Sequence, residues 1–380
     1  MRKLFFFINV DWYYELHWQE RILSAMTDGF EVHVCMATEP GADQKADRPS
    51  LFEGREVVYH DIPMHRTSAG ITSNLKAFLA VRRLLREIEP DLIHTVTIKP
   101  NLLGGILARW SRRPILLTLP GLGTVFSETS TKNRLLKALI LALYRWIAGN
   151  PRAALVFENE ADRTLFRSEG VLPPGGGYLS PGSGVDTERF RPSARSAPTP
   201  PLTVLFAARL LNQKGLDDLV AAAERRRAAG QEIRLLVAGI QDPSAPDAID
   251  MRVIEEWHAA GRIEWLGRVG EMESLFRQAH VVALPTKYGE GIPRILIEAA
   301  ACGLPVLTTD VGGCREFVLN GTTGRTVAPG DIGALAAALK EMQDDSLREA
   351  MGRAARARVE ASYSRSHVID TFRGIYSDLS

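Results

Sequence analysis

The chain has 380 residues, 45% hydrophobic and 24% charged, with 46 Lys+Arg against 45 Asp+Glu and a formal net charge of +1. That length predicts two sizeable domains and excludes global disorder, and three cysteines (Cys35, Cys302, Cys314) exclude a disulfide scaffold and fit a reducing cytosol. The balance excludes a dedicated nucleic-acid binder, yet it is a cancellation: residues 76–152 hold 13 Lys/Arg and 4 Asp/Glu, a local +9 that leaves −8 elsewhere.

Residues 1–11 begin like a signal peptide, but the apolar run stops at Asn9 and no small-residue cleavage site follows, so a first buried strand is predicted. Short apolar runs at 4–10, 31–37, 57–62, 92–96 and 115–118 read as strands, with helical spacing at 20–27, 74–89 and 102–110 between them. The most membrane-like stretch, 135–148, is interrupted by Lys137 and Arg145 and falls short of the roughly 18–20 apolar residues of a span. No transmembrane helix is predicted. Pro, Gly and Ser concentrate at 173–184 and 192–201, as in a linker. The alternation then restarts, with strands at 203–208, 234–238, 263–266, 281–284 and 305–309 and helices near 216–229, 272–278, 293–302 and 332–343.

Such alternation predicts an α/β chain of two doubly wound, Rossmann-like domains facing one another across a cleft. The expected division is an N-terminal domain at 1–180, a linker at 181–201 and a C-terminal domain at 202–362. The amphipathic segment 363–380 is expected to cross back over the first domain. Ligands of such sheets sit beyond the carboxyl ends of the strands, which directs attention to the strand-end loops.

The richest loop runs from Pro285 to Gly303. Its apolar strand feeds a glycine turn, and Pro293 suits the first position of a helix. The amides of Gly291, Ile292 and Arg294 are then placed to meet a phosphate. Glu290 and Glu298 flank that position and can accept hydrogen bonds from hydroxyls. Read alone, they also fit a helix-start charge and a solvated helix residue. In the first strand-end loop of the second domain, Arg209 ends a buried strand and Lys214 and Gly215 precede a helix. Two cations there suit a diphosphate, Arg as a fork and Lys as a point charge.

These motifs, with Gly182-Ser-Gly-Val-Asp186 and Gly312-Gly313-x-x-Glu316, stand in one order along the chain. In that order the chain resembles the family-4 retaining glycosyltransferases of GT-B architecture. The resemblance implies that Arg209 and Lys214 hold the donor diphosphate, Glu290 meets the transferred sugar and Glu298 meets the nucleotide ribose. Asn9-Val-Asp11-Trp12, His94–Asn101 and Leu119–Phe126 are similar to a bacterial subgroup that extends polyprenyl-diphosphate-linked sugars. For that acceptor the candidates are Thr97, Lys99, Asn101, Gly121 and Gly123; Lys99 also fits an ordinary surface lysine. The first loop has Asp11-Trp-Tyr-Tyr14 where many relatives have paired glycines. Thr118-Leu-Pro120-Gly121 stands where many have a histidine. His94 and His17 lie in the nearby loops, where a lone histidine is more often structural.

The resemblance implies transfer from a nucleotide-diphosphate sugar, with a UDP-sugar as the expected donor, with retention and without a cofactor. No Asp-x-Asp motif is present, so no metal is predicted. The segments 74–89 and 132–152 set basic residues beside apolar ones and read as membrane-surface helices, although their apolar faces also fit packing on the first sheet. The expected location is therefore the cytoplasmic face of the membrane. A nucleotide-sugar epimerase and a non-catalytic nucleotide-binding module remain as rivals; a dinucleotide oxidoreductase lacks its Gly-x-Gly-x-x-Gly turn.

Overall fold

The computed structural model describes residues 1–37, 51–52, 54–64, 70–123, 126, 131–173, 175–193, 201–242, 245 and 247–379. Thr124 and Val125 of the motif after Leu119, the linker stretch 194–200 and the Lys132 side chain lie outside the described residues. The chain divides into two units, Met1–Ser183 with Ser366–Ser380, and Gly184–Arg365.

In the first unit β1 (Arg2–Phe7) leads to α1 (Asp11–His17), α2 (Gln19–Ser24) and β2 (Phe30–Met36). The antiparallel pair β3 (Leu51–Phe52) and β4 (Arg55–Glu56) precedes β5 (Val58–Asp61), α3 (Ile71–Ile88), β6 (Leu92–Val96) and α4 (Ile98–Ser111). Next come β7 (Ile115–Leu119), α5 (Thr131–Ala148), β8 (Ala153–Phe157), α6 (Glu160–Ser168) and β9 (Tyr178–Leu179). Seven strands pair in parallel in the order β5-β2-β1-β6-β7-β8-β9.

The run of phenylalanines in β1 has a simple cause. Successive strand residues face opposite sides, and both sides are covered. Leu4 and Phe6 pack with residues of α1, α2 and the C-terminal helix Arg365–Leu379, whereas Phe5 and Phe7 pack with residues of α3, α4, α5 and α6. His94 is fully buried in the first of these layers, bonded to Tyr376 Oη at 2.7 Å and Thr118 Oγ1 at 2.9 Å, with its ring stacked on Phe372. It is a structural histidine. Burial, reinforced by Arg21, holds its pKa well below the usual value.

Several local expectations change. Residues 11–14 open α1 rather than forming a loop, and the helix expected at 20–27 is confined to Gln19–Ser24. Residues 98–101 form the first turn of α4, where Pro100 is tolerated because early helical amides have no intrahelical partner. Within the Pro/Gly-rich stretch 173–184, Tyr178 and Leu179 extend along β8 as an edge strand, introduced by Gly177 at φ +80°. Beyond it, Val185 and Phe190 are buried in the second core, so part of the expected linker belongs to that unit.

The second unit runs β10 (Leu202–Ala207), a 3-10 turn (Asn212–Lys214), α7 (Leu216–Ala228), β11 (Ile233–Ala238), α8 (Met251–Ala259) and β12 (Glu264–Trp265). It continues through α9 (Met272–Gln278), β13 (Val281–Leu284), α10 (Arg294–Ala301), β14 (Val306–Thr309) and α11 (Gly312–Phe317). β15 (Gly324–Val327), α12 (Ile332–Glu341) and α13 (Asp345–Ser362) follow. Its six parallel strands lie in the order β12-β11-β10-β13-β14-β15. Strand order therefore reverses between β1 and β6 in the first sheet and between β10 and β13 in the second. Ligand sites of doubly wound sheets form at such points, beyond the strand carboxyl ends.

Candidate active site

Two loops meet at the second reversal, one after β10 and one after β13. They are tied together by backbone. Lys287 N–H donates to Gln213 O at 2.7 Å, Thr286 Oγ1 donates to the same oxygen at 3.2 Å, and Thr309 Oγ1 donates to Thr286 O at 2.5 Å. Lys287 Nζ adds bonds of 2.7 and 2.9 Å to Asp217 and lies 3.2 Å from Asp218. Gly215 makes this approach possible. It sits at φ +76°, and a Cβ there would lie 2.0 Å from Pro285 O. The Glu290–Ile292 turn is held from the other side by Gly313, whose N–H donates to Glu290 O at 2.9 Å and whose Cβ would meet Gly291 O at 2.5 Å.

This framework fixes a compact set of charges. Buried Lys214 donates from Nζ to Glu290 Oε2 and lies 5.3 Å from the Tyr288 ring centre. Burial pulls the Lys214 pKa down, but Glu290 and Tyr288 together outweigh it and the ammonium titrates above its ordinary value. Burial and Glu290 push the Tyr288 phenol up. The second carboxylate oxygen, Glu290 Oε1, is buried and takes no hydrogen bond among the described residues. Arg209 pairs with Asp242 at 2.8 Å while its side chain stays 40% exposed. Along α10, Arg294 Nε donates to Glu298 Oε1 at 2.5 Å. Burial nevertheless dominates and raises the Glu298 pKa.

The residues expected from sequence thus separate. Lys214 and Glu290 touch; Arg209 turns to Asp242; Arg294 and Glu298 form their own pair. Pro293 is the extended N-cap of α10, so Arg294 is its first helical residue and Gly291 and Ile292 belong to the preceding turn. Gly215, expected among the donor-binding residues, donates its N–H to Asn212 O and serves the close approach to Pro285. Tyr288, Lys287 and Asp242 were not singled out from sequence. The signal was their place in the loops after β13 and β11.

At the reversal in the first unit the chemistry is mostly neutral. Thr97, the N-cap of α4, has φ +74° and ψ 161°, a region that costs a β-branched residue about 1–3 kcal/mol. Backbone bonds Thr97 N–H to Thr118 O and Asn101 N–H to Thr97 O hold it there, and its buried Oγ1 takes no hydrogen bond among the described residues. Lys99 is half-buried, and burial lowers its pKa. Asn101 departs from the acceptor set. It is fully buried, with Nδ2 donating to Thr118 O and Tyr144 Oη, both at 3.0 Å, and Oδ1 accepting from Thr95 Oγ1 at 2.7 Å. Its amide braces the interior of the unit. Gly121 is half-buried, and Gly123 is exposed at φ +67° with open space around its Cβ position. Among the described residues no cluster of three or more His, Cys, Asp or Glu is arranged to hold a metal.

The family described as Glycosyl transferases group 1 matches residues 187–358, and the Glycosyl transferase 4-like family matches 3–149. The D-inositol 3-phosphate glycosyltransferase of Arthrobacter sp. is 30% identical over 311 residues, 74% of this chain and 70% of that protein. The capsular polysaccharide biosynthesis glycosyltransferase CapM of Staphylococcus aureus is 26% identical over 87% of this chain and 88% of its own length. The N,N'-diacetylbacillosaminyl-diphospho-undecaprenol alpha-1,3-N-acetylgalactosaminyltransferase of Campylobacter jejuni is 24% identical over 66% and 67%. Against other curated relatives, such as the glycogen synthase of Mycobacterium tuberculosis, 32% identical over 51% of this chain, the chain spans about half the length, 47%. Among solved structures, sucrose-phosphate synthase from Thermosynechococcus elongatus superposes with TM-score 0.80 at 21% identity, covering 100% of this chain and 99% of that one. Anabaena HepE in complex with UDP superposes with TM-score 0.77 at 18% identity over both full lengths. Matched in both halves, the chain belongs to the group 1, family-4-like glycosyltransferases and has their GT-B fold.

Proposed function

We propose that the protein transfers a hexose or N-acetylhexosamine from a UDP-linked donor to a polyprenyl-diphosphate-linked sugar, with retention, in bacterial surface-polysaccharide or glycan assembly at the cytoplasmic face of the membrane. The observation that carries this reading is Glu290. One of its oxygens is held by Lys214, while the other is a buried acceptor with no partner among the described residues, at the strand-order reversal. A sugar hydroxyl supplies the donor that this oxygen lacks.

In this reading an ammonium has three N–H groups; Glu290 engages one, and another meets a diphosphate oxygen. Arg209 adds its outer guanidinium edge, the start of α10 adds its dipole, and Glu298, neutralised by Arg294, accepts from the ribose. The anomeric C–O bond to the diphosphate breaks, and a bond to the acceptor oxygen forms on the same face. The acceptor proton passes to the leaving diphosphate. Stabilisation of the charge developing on that diphosphate is the main protein contribution, with no metal and no cofactor. Thr97, Lys99, Gly121 and Gly123 are the acceptor-side candidates. The lipid-linked acceptor draws support from the Campylobacter relative and the UDP donor from HepE.

The deciding experiment screens nucleotide sugars for UDP or GDP release with and without a prenyl-diphosphate-linked sugar. Acceptor-dependent UDP release with an α-linked product is expected. An interconverted nucleotide sugar without acceptor would identify an epimerase, and binding without turnover a nucleotide-binding module.

A further inference from the structure

Helices α3, α4 and α5 lie side by side on one face of the first sheet, with α4 in the middle. Their inner residues, Ala77, Val81, Leu107, Ala108, Ile140 and Tyr144, fill the core. The apolar faces noted in the sequence are therefore partly used for packing. Another apolar set remains on the outside. Of the twelve large hydrophobic side chains exposed among the described residues, seven lie on these three helices. On α5, Leu135, Leu139 and Trp146 share one stripe at helical spacing, 70%, 58% and 42% exposed. Leu75 and Leu79 of α3 and Trp110 of α4 continue the surface, with Trp110 edge-on to Phe78.

The basic residues sit on the same outer faces. Lys76, Arg82, Arg83, Arg86, Arg112 and Arg134 are exposed. Residues 71–148 carry 12 Lys/Arg against 4 Asp/Glu. Of those acids, Glu87 is paired with Arg83 and Glu89 with Arg113. The opposite layer of the same unit, built from α1, α2 and the C-terminal helix, exposes only Leu16 of comparable size among the described residues. Exposed apolar patches mark interaction surfaces, and ones edged by cations match the anionic bilayer interface, where tryptophan and leucine enter the head-group layer and arginine meets phosphate.

We infer that the outer face of α3, α4 and α5 is a bilayer-docking surface, with Leu135, Leu139, Trp146 and Trp110 as inserting anchors and Arg82, Arg86 and Arg134 as head-group contacts. The inference rests on the reading of a lipid-borne acceptor. It adds which face meets the membrane and that insertion, as well as charge, holds it there.

Flotation of the full chain with vesicles of phosphatidylglycerol and phosphatidylcholine tests it. Leu135→Ser with Leu139→Ser is expected to lower partitioning about tenfold at all salt concentrations. Arg82→Glu with Arg86→Glu is expected to lower it by more than tenfold at low salt and to flatten the salt dependence. Both pairs are exposed, so the melting temperature and transfer to a short-chain, water-soluble prenyl acceptor should be unchanged. Unchanged partitioning in both variants overturns the inference. So does a dimer in sedimentation velocity that Leu135→Ser/Leu139→Ser dissolves, because the face would then join two copies. A chain that transfers sugar to the soluble acceptor yet ignores vesicles overturns this inference alone; a chain with no transfer to any prenyl acceptor overturns the proposed function.

Discussion

The two strand-order reversals of this chain are built from opposite materials. In the second unit the loops carry Lys214–Glu290, Arg209–Asp242, Lys287–Asp217 and Arg294–Glu298, four ion pairs within three strand-end loops and the helices that flank them. In the first unit the same topological position is braced by neutral groups: His94 with Tyr376 and Thr118, Asn101 with Thr95 and Tyr144. Sheet topology is thus indifferent to charge. The contrast is what separates a site suited to an ionic diphosphate from one held rigid by buried hydrogen bonds, and it can be attacked from either side.

The largest effect is expected from Lys214→Ala. Turnover should fall about 10²–10³-fold, the scale of losing one preorganised donor to developing charge. The substitution also leaves the Glu290 carboxylate buried without its partner, so some stability is lost with it. Adding Glu290→Gln should restore the melting temperature while activity stays low, which separates folding from catalysis. Activity within threefold of wild type in Lys214→Ala would place the diphosphate elsewhere.

Asn101→Ala should act in the opposite sense. It strips three buried hydrogen bonds and should cost ~2–3 kcal/mol in denaturant unfolding of the first unit. Donor hydrolysis measured without acceptor should be nearly unchanged. A selective rise in acceptor KM at unaltered stability would return Asn101 to the acceptor site.

The smallest effect is a pH dependence. His94 has a folded pKa below its unfolded value of 6.5, so the stability it lends is complete above about pH 6.5 and is lost as pH falls toward the folded pKa. The expected slope is at most about 1.4 kcal/mol per pH unit. Melting curves of the wild type and His94→Asn between pH 7 and pH 5 check it. Parallel curves for the two proteins would remove His94 as the cause.

Sequence reading went furthest where burial is continuous. The strand at 281–284 coincides with β13, since a short apolar run buried on both faces leaves little ambiguity. It went less far where polar residues turn inward. α13 passed unnoticed because its buried side sets Arg348, Gly352 and Ala355 among only two larger apolar residues, Met351 and Val359, a stripe too weakly apolar to stand out. Asn101 failed for a related reason: at a helix start, composition does not tell an amide directed into the core from one offered to a ligand. In the charged loops the residue types were legible and their partners were not. Lys214 and Glu290 are 76 positions apart, and only the parallel alignment of β10 with β13 makes them neighbours.

The placement of the C-terminal helix bears on how the protein is made. Val368, Phe372, Ile375 and Tyr376 complete a layer begun by Phe6, Trp18 and Phe30. Domains tend to fold as units, N-terminal first, during synthesis. Here the first unit lacks part of its core until the chain is nearly finished. The second unit leaves the ribosome before the helix that closes the first, so the nascent chain carries the open aromatic face of its first 183 residues for as long as the second unit is being made.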